Sequence, residues 1–213
     1  MTAHTALVAI LGALLIGAIS PGSSFVLVSR IAITQSRLQG LAAAIGMGLG
    51  GTVFAALALL GLAALLNRIE GLYIVLKLVG GIYLGWLGIR IWRGAREPLA
   101  SMDVAIPRGR SLLRAFSFAV LTQLSNPKTA IVYGSIFASM LPASPPSWLL
   151  AVLPPLVFTV ETAWYAVVAL AFSAQHPRAL YLRGKVWVDR LAGTVMGLLG
   201  VRLIVDAFSA RRL

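Results

Sequence analysis

The sequence predicts an all-α integral membrane protein with six transmembrane helices, arranged as two inverted three-helix repeats in which helices 1 and 4 are broken. Three observations carry this expectation. The 213 residues are 59% hydrophobic and only 11% charged, with a mean hydropathy of +0.92, outside the balance of an ordinary soluble domain. The apolar residues gather into stretches that reach the roughly 20 residues needed to cross a bilayer. Two polar, proline-bearing interruptions, Ser20-Pro21-Gly22-Ser23-Ser24 and Ser125-Asn126-Pro127-Lys128-Thr129, each fall in the first apolar stretch of one half of the chain.

The spans are expected at about 5–29, 41–66, 72–92, 112–140, 148–173 and 186–208, within one transmembrane domain covering 1–213. Repeat one is about 5–92, repeat two about 112–208, and the polar, basic stretch 93–111, with Pro98 and Pro107, is read as the linker loop. No Lys or Arg precedes the first apolar stretch and no small-residue cleavage pattern follows it, so it is read as a retained span rather than a signal peptide.

The net charge of +12 does not point to nucleic acid, because the basic residues lie between apolar segments rather than along one soluble face. They read as a topology signal facing anionic lipid. Loops after spans one, three and five carry Arg30 and Arg37; Arg90, Arg93, Arg96, Arg108, Arg110 and Arg114; and Arg178, Arg183, Lys185 and Arg190. The opposite side has Arg68, Arg211 and Arg212. That imbalance predicts a multi-pass inner-membrane protein with both termini external and the linker cytoplasmic. With no cysteine in the chain, disulfides, thiol relays and cysteine-ligated metals are excluded.

An odd number of spans per half gives the halves opposite orientation. Traces of duplication agree: Gly81-Ile82-Tyr83-Leu84-Gly85-Trp86-Leu87-Gly88-Ile89-Arg90 matches Gly193-Thr194-Val195-Met196-Gly197-Leu198-Leu199-Gly200-Val201-Arg202 in its glycines and terminal arginine. Thr52-Val53-Phe54 more loosely matches Thr162-Ala163-Trp164. The small-residue pairs Gly46/Gly50, Gly81/Gly85 and Gly193/Gly197 are first of all packing surfaces, within the chain or in a homodimer.

The breaks are the candidate site. At 1.5 Å per residue, a helix from Thr5 reaches Pro21 after roughly 24 Å and one from Leu112 reaches Pro127 after roughly 22 Å, so both fall within the hydrocarbon layer. A helix restarting after each break turns free amides towards it; Ser20, Ser23, Ser24, Asn126 and Thr129 add polar side chains, and Lys128 a cation. Paired interruptions of this kind mark solute sites in transporters, and this one suits a carboxylate. The bland alternative is a pair of proline kinks that only shape packing.

Lys128 and Glu161 are costly in lipid, at about 2.5–3.5 kcal/mol each on insertion scales. They are expected near each other, either as a structural pair or with Glu161 as the proton-coupling group. Trp164 and Tyr165 are candidate pocket walls. Arg202 and Asp206 are spaced for a local ion pair, Lys77 for snorkelling. Trp86, Trp92, Trp148, Trp187, Tyr73 and Tyr181 are placed as interfacial anchors. His4 is expected at the interface or in solvent, and Asp103, Glu97, Asp189 and Glu70 in solvent. No cofactor and no metal site is expected, and with His4 and His176 at a terminus and in a loop no catalytic set converges. A passive channel for small polar metabolites is the alternative to a transporter.

Ser20-Pro21-Gly22, the glycine-rich second span (Gly46, Gly48, Gly50, Gly51) and Leu121-Thr122-Gln123-Leu124-Ser125-Asn126-Pro127-Lys128 resemble the LysE/RhtB family of bacterial amino-acid exporters, over the whole chain. Where that family commonly has Pro-Gly-Pro, this chain has Pro21-Gly22-Ser23. The resemblance implies inner-membrane efflux of amino acids or close derivatives driven by the proton gradient, with Pro21, Gly22, Asn126, Pro127 and Lys128 as site residues and a homodimer as the assembly. Exporters of basic amino acids in that family can carry an acid in the second span. Gly50, Gly51 and Thr52 stand there instead, which implies a neutral substrate such as threonine, homoserine or a branched-chain residue.

Overall fold

The computed structural model describes residues 2–66, 70–98, 106, 109, 111–142 and 144–209, with the backbone alone at 63–66, 70–73, 76 and 175–178. Among them are eight helices and no strand: α1 (Ala3–Ile19), α2 (Ser23–Thr34), α3 (Arg37–Leu66), α4 (Glu70–Gly94), α5 (Leu112–Leu124), α6 (Pro127–Met140), α7 (Ser147–Phe172) and α8 (Gln175–Ser209). α3, α7 and α8 are each long and apolar enough to cross a membrane, and α1 with α2, bent by 58° at the first break, makes a fourth such span. α4 occupies the third predicted segment, and α5 with α6 the fourth.

Local chemistry sets the helix ends. The Thr2 hydroxyl accepts from the Thr5 amide at the start of α1, and Ser111 does the same for Arg114 at the start of α5. α1 and α5 stop where a proline two or three residues on removes the next amide donor. α7 carries Pro154 and Pro155 internally without ending, as membrane helices tolerate when their neighbours re-satisfy the backbone.

One boundary differs from expectation. α8 begins at Gln175 rather than at 186, so Arg178, Arg183 and Lys185, read as loop residues, ride on a helix. Its first turns are polar enough to resemble a loop, yet one side of them packs on the end of α4. The linker's Asp103 and the cations Arg68, Arg108, Arg110, Arg211 and Arg212 lie outside the described residues, as do the side chains of Glu70, Tyr73, His176 and Arg178.

Glycines set the closest packing. α4 and α8 run antiparallel: a Cβ on Gly81 would press on the Gly200 carbonyl and one on Gly200 on the Gly81 carbonyl, while Gly88 and Gly193 oppose each other in the same reciprocal way. No larger residue fits without separating the backbones. The glycine stripe of α3 packs between α5 and α7, with Gly46 against the Phe116 carbonyl, Gly50 against Gln123, Gly48 against Thr162 and Gly51 against Glu161. Two apolar cores result, one around Ile10, Phe137, Leu153 and Met196, the other around Phe25, Ile31, Met47 and Phe172. Tyr133 belongs to the first and Tyr165 to the second, and the polar site opens between them. Outside, Leu60, Ile82, Leu113, Leu191 and Leu198 are exposed, a face suited to lipid.

Candidate functional site

Both breaks open onto one vestibule of about 810 Å³, within the range of small-molecule sites. Ser20, Pro21, Gly22 and Ser23 line it from the first break, and Asn126, Pro127 and Lys128 from the second. The C-terminal half of α4 adds Tyr83, Trp86, Arg90 and Arg93, and α8 adds Lys185 and Asp189. Behind the breaks lies an inner cavity of only about 40 Å³, lined by Ser24, Gln123, Thr129, Tyr133, Glu161 and Tyr165. It has room for water rather than for a solute. Ser20, Gly22, Asn126 and Lys128 border both spaces.

The first break leaves backbone groups to satisfy. α1 ends at Ile19, so its last carbonyls have no amide partner within the helix. The Trp164 indole N–H reaches across to donate to the Ala18 carbonyl at 3.0 Å, and the Tyr181 hydroxyl donates to that of Ile19 at 3.5 Å. Trp164 therefore holds the end of α1 and is not among the residues lining either space, while Tyr165 lines the inner cavity. Tyr181, expected at the interface, instead packs on Phe25, with ring centroids 4.9 Å apart. Ser20 is 3% exposed and its hydroxyl is buried without a hydrogen-bond partner, a polar group left over where the chain leaves α1.

At the second break, the Asn126 side chain accepts from the Lys128 amide at 3.0 Å, an N-cap, and Pro127 occupies the first helical position, where the missing donor costs nothing. The Asn126 amide donates to Ser23 Oγ at 3.2 Å and Ser24 Oγ at 3.3 Å, tying the two breaks together. Lys128 lies beside Gly22: a Cβ there would be 3.5 Å from Nζ. The cation of the second break thus sits against the backbone of the first.

Glu161 is 4% exposed. Its Oε1 accepts from the Tyr133 hydroxyl at 2.7 Å and its Oε2 from the Gln123 amide at 2.9 Å. Lys128 and Glu161 border the same inner cavity but, among the described residues, form no ion pair with each other. Sequence reasoning offered the lysine as partner; Gln123 and Tyr133 fill that place. Gln123 lay within the quoted fourth-span motif and Tyr133 follows Lys128 by five residues, so the clue was a polar residue on each side of the break.

Asp189 corrects the expectation that it is solvated. It is 4% exposed, and its Oδ2 accepts from Lys185 Nζ at 2.8 Å, while the same ammonium also donates to the Ala95 carbonyl at 3.0 Å. The other oxygen, Oδ1, is buried without a partner, and Asp189 acts electrostatically on Lys128. Glu97 lines the vestibule too. The i, i+4 spacing of Lys185 and Asp189 was visible; their burial depends on α4 arriving alongside. Arg202 and Asp206 form the expected pair, exposed and loose at 3.8 Å, and His4 is exposed and packs on Trp148.

The arrangement offers a cation, a buried hydroxyl and a capped helix start around a solute-sized space, with a sealed carboxylate behind. The family model described as LysE type translocator matches residues 15–207. The chain is 33% identical over 198 residues to a protein named threonine efflux protein in Salmonella typhi, and 31% identical over 198 residues to the protein of that name in Escherichia coli K12; each match covers 90% of this chain and 94% of the relative. An uncharacterized membrane protein of Haemophilus influenzae is 29% identical over 198 residues, covering 92% of this chain and 94% of the relative. No solved structure matches the chain. The chain belongs to the LysE type translocator family, and is a multi-pass membrane transporter rather than an enzyme.

Proposed function

We propose that the chain exports neutral amino acids or close derivatives, such as threonine or homoserine, across the inner membrane by proton-coupled antiport. The observation that carries this is the meeting of both helix breaks on one vestibule, with Lys128 beside Gly22 and Glu161 sealed behind. The substrate carboxylate binds between Lys128 and the uncapped first turn of α2, whose amides carry a positive field. The relatives named for threonine efflux support an amino-acid substrate.

In this reading the chain crosses the membrane six times as two inverted repeats. The reciprocal glycine contacts between α4 and α8 support it, because a twofold relation matching Gly81 to Gly193 and Gly88 to Gly200 carries each contact onto the other. The vestibule opens beside Arg90, Arg93 and Lys185, on the side that the positive-inside rule assigns to the cytoplasm, so this conformation is the one that loads substrate. Glu161 takes up the counter-moving proton. Pro21, Ser23 and Pro127 shape the vestibule and Ser24 and Thr129 the inner wall.

Counterflow separates this from a channel. In proteoliposomes loaded with unlabelled amino acid, an exchanger accelerates uptake of labelled threonine, homoserine or leucine, and Lys128→Ala abolishes that acceleration. Uptake indifferent to the internal load contradicts the carrier reading.

A further inference from the structure

The hydrogen bonds between the second break and Glu161 form a chain in which every link donates towards the carboxylate. The Lys128 backbone N–H can only donate, so the Asn126 atom 3.0 Å from it is the carbonyl oxygen. The Asn126 amide must then face Ser23 and Ser24, and it donates to Ser24 Oγ at 3.3 Å. Ser24, accepting there, gives its one hydrogen to Gln123 Oε1 at 2.5 Å. That turns the Gln123 amide to Glu161, where it donates to Oε2 at 2.9 Å. The Tyr133 hydroxyl donates to Oε1. Both Glu161 oxygens therefore accept, which is the pattern of an ionised carboxylate.

We infer that Gln123 is a positioning residue that transmits the protonation of Glu161 to Ser24, on the first turn of α2, where the two breaks are tied together. This rests on the reading of Glu161 as the proton-carrying group. A hydrogen on Oε2 would meet an amide that also donates. Relief requires Gln123 to turn its oxygen to Glu161 and its amide to Ser24. Ser24 then takes donors from Gln123 and Asn126 on its two lone pairs and turns its own hydrogen from Gln123 to Tyr165, which also hydrogen-bonds it. A proton on Glu161 thus reverses the hydrogen bonding of Ser24 in the turn of α2 that is proposed to hold the substrate carboxylate, and couples the two sites as antiport demands. The ionisable groups facing Glu161 are Tyr133 and Lys128 from α6 and Tyr165 from α7; α2, α3 and α5 bring Ser24, Gly51 and Gln123, and α1 brings Leu14, Gly17 and Ala18, none of which titrates.

The test is the pH profile of counterflow in proteoliposomes at equal internal and external pH, using whichever of labelled threonine, homoserine or leucine gives the largest wild-type signal. Gln123→Met keeps the length and removes the amide. Losing a donor disfavours the carboxylate, so the midpoint moves to the alkaline side by about 1–2 pH units. Ser24→Ala cuts the chain one link further on and moves it in the same direction by less; it carries the test where Gln123→Met fails to insert. A structural role scales the rate at every pH and leaves both midpoints in place, which overturns the inference. A wild type without titration, or one whose titration survives Glu161→Gln, overturns the proton-coupling reading itself and the chain with it.

Discussion

The two helix breaks look alike in sequence and differ in what they leave open. At the first, α1 stops at Ile19 and α2 restarts after Gly22 with no side-chain cap, so its first intrahelical bond runs from Val26 to the Gly22 carbonyl. Its loose ends are the orphan Ser20 hydroxyl and the amides of the first turn of α2. At the second, the Ser125 and Asn126 amides bond back to Leu121 and Gln123, Pro127 has no amide to satisfy, and Asn126 caps Lys128. One break is open and presents donors. The other is closed on itself and holds a cation and a hydrogen-bonded chain in place. On the proposed reading, the first break offers amides to a solute, while the second supplies the Lys128 cation and holds it in place.

Substitutions at each break can sharpen or spoil this division. The largest effect is expected from Lys128→Ala: its ammonium faces the open break, and losing a charge-assisted hydrogen bond to substrate lowers the counterflow rate about 10- to 100-fold while thermal stability stays near wild type. Asn126→Ala removes a cap and two amide bonds at the closed break, and lowers stability by about 2–3 kcal/mol; Asn126→Asp keeps the cap and recovers about 1 kcal/mol of it, measurable by thermal unfolding in detergent. At the open break Ser20→Ala breaks no bond within the protein. Stability therefore holds or improves, because a buried hydroxyl without a partner is removed. Gly22→Ala is the mildest: its φ of −149° is ordinary extended backbone, the new Cβ only touches Lys128, and stability stays within about 0.5 kcal/mol. Serious destabilisation by Ser20→Ala or Gly22→Ala would mean that the first break is structural as well.

Much of this was legible in the sequence because the signals are local. Proline without an amide must break a helix, and long apolar stretches must find lipid or core; both breaks and the order of the helices followed from these. Gly46, Gly50, Gly81 and Gly193 were readable as close contacts, though not which neighbour each would meet, while a Cβ on their pair partners Gly85 and Gly197 would meet nothing within 4 Å. What stayed hidden depended on the rotation of one helix against another. Trp164 and Tyr165 are neighbours, yet one reaches the end of α1 and the other the inner cavity. Lys128 and Glu161 invited pairing by charge, but the nearer Gln123 and Tyr133 satisfy the carboxylate. Lys185 and Asp189 read as loop charges because nothing in their own segment says that the end of α4 will cover them. Removing Asp189 would leave that ammonium buried without its counter-charge, at about 3–5 kcal/mol.

The chain has no cysteine, so a single introduced thiol reports without background. Ser23→Cys and Pro127→Cys place one at each break on the vestibule wall. The decisive measurement is the rate at which a small charged thiol reagent labels each variant as the amino acid that gives counterflow is added. If both breaks grip one solute, substrate slows labelling at the two positions with the same half-effective concentration. Protection at one position only, or at neither while counterflow proceeds, would contradict a shared site.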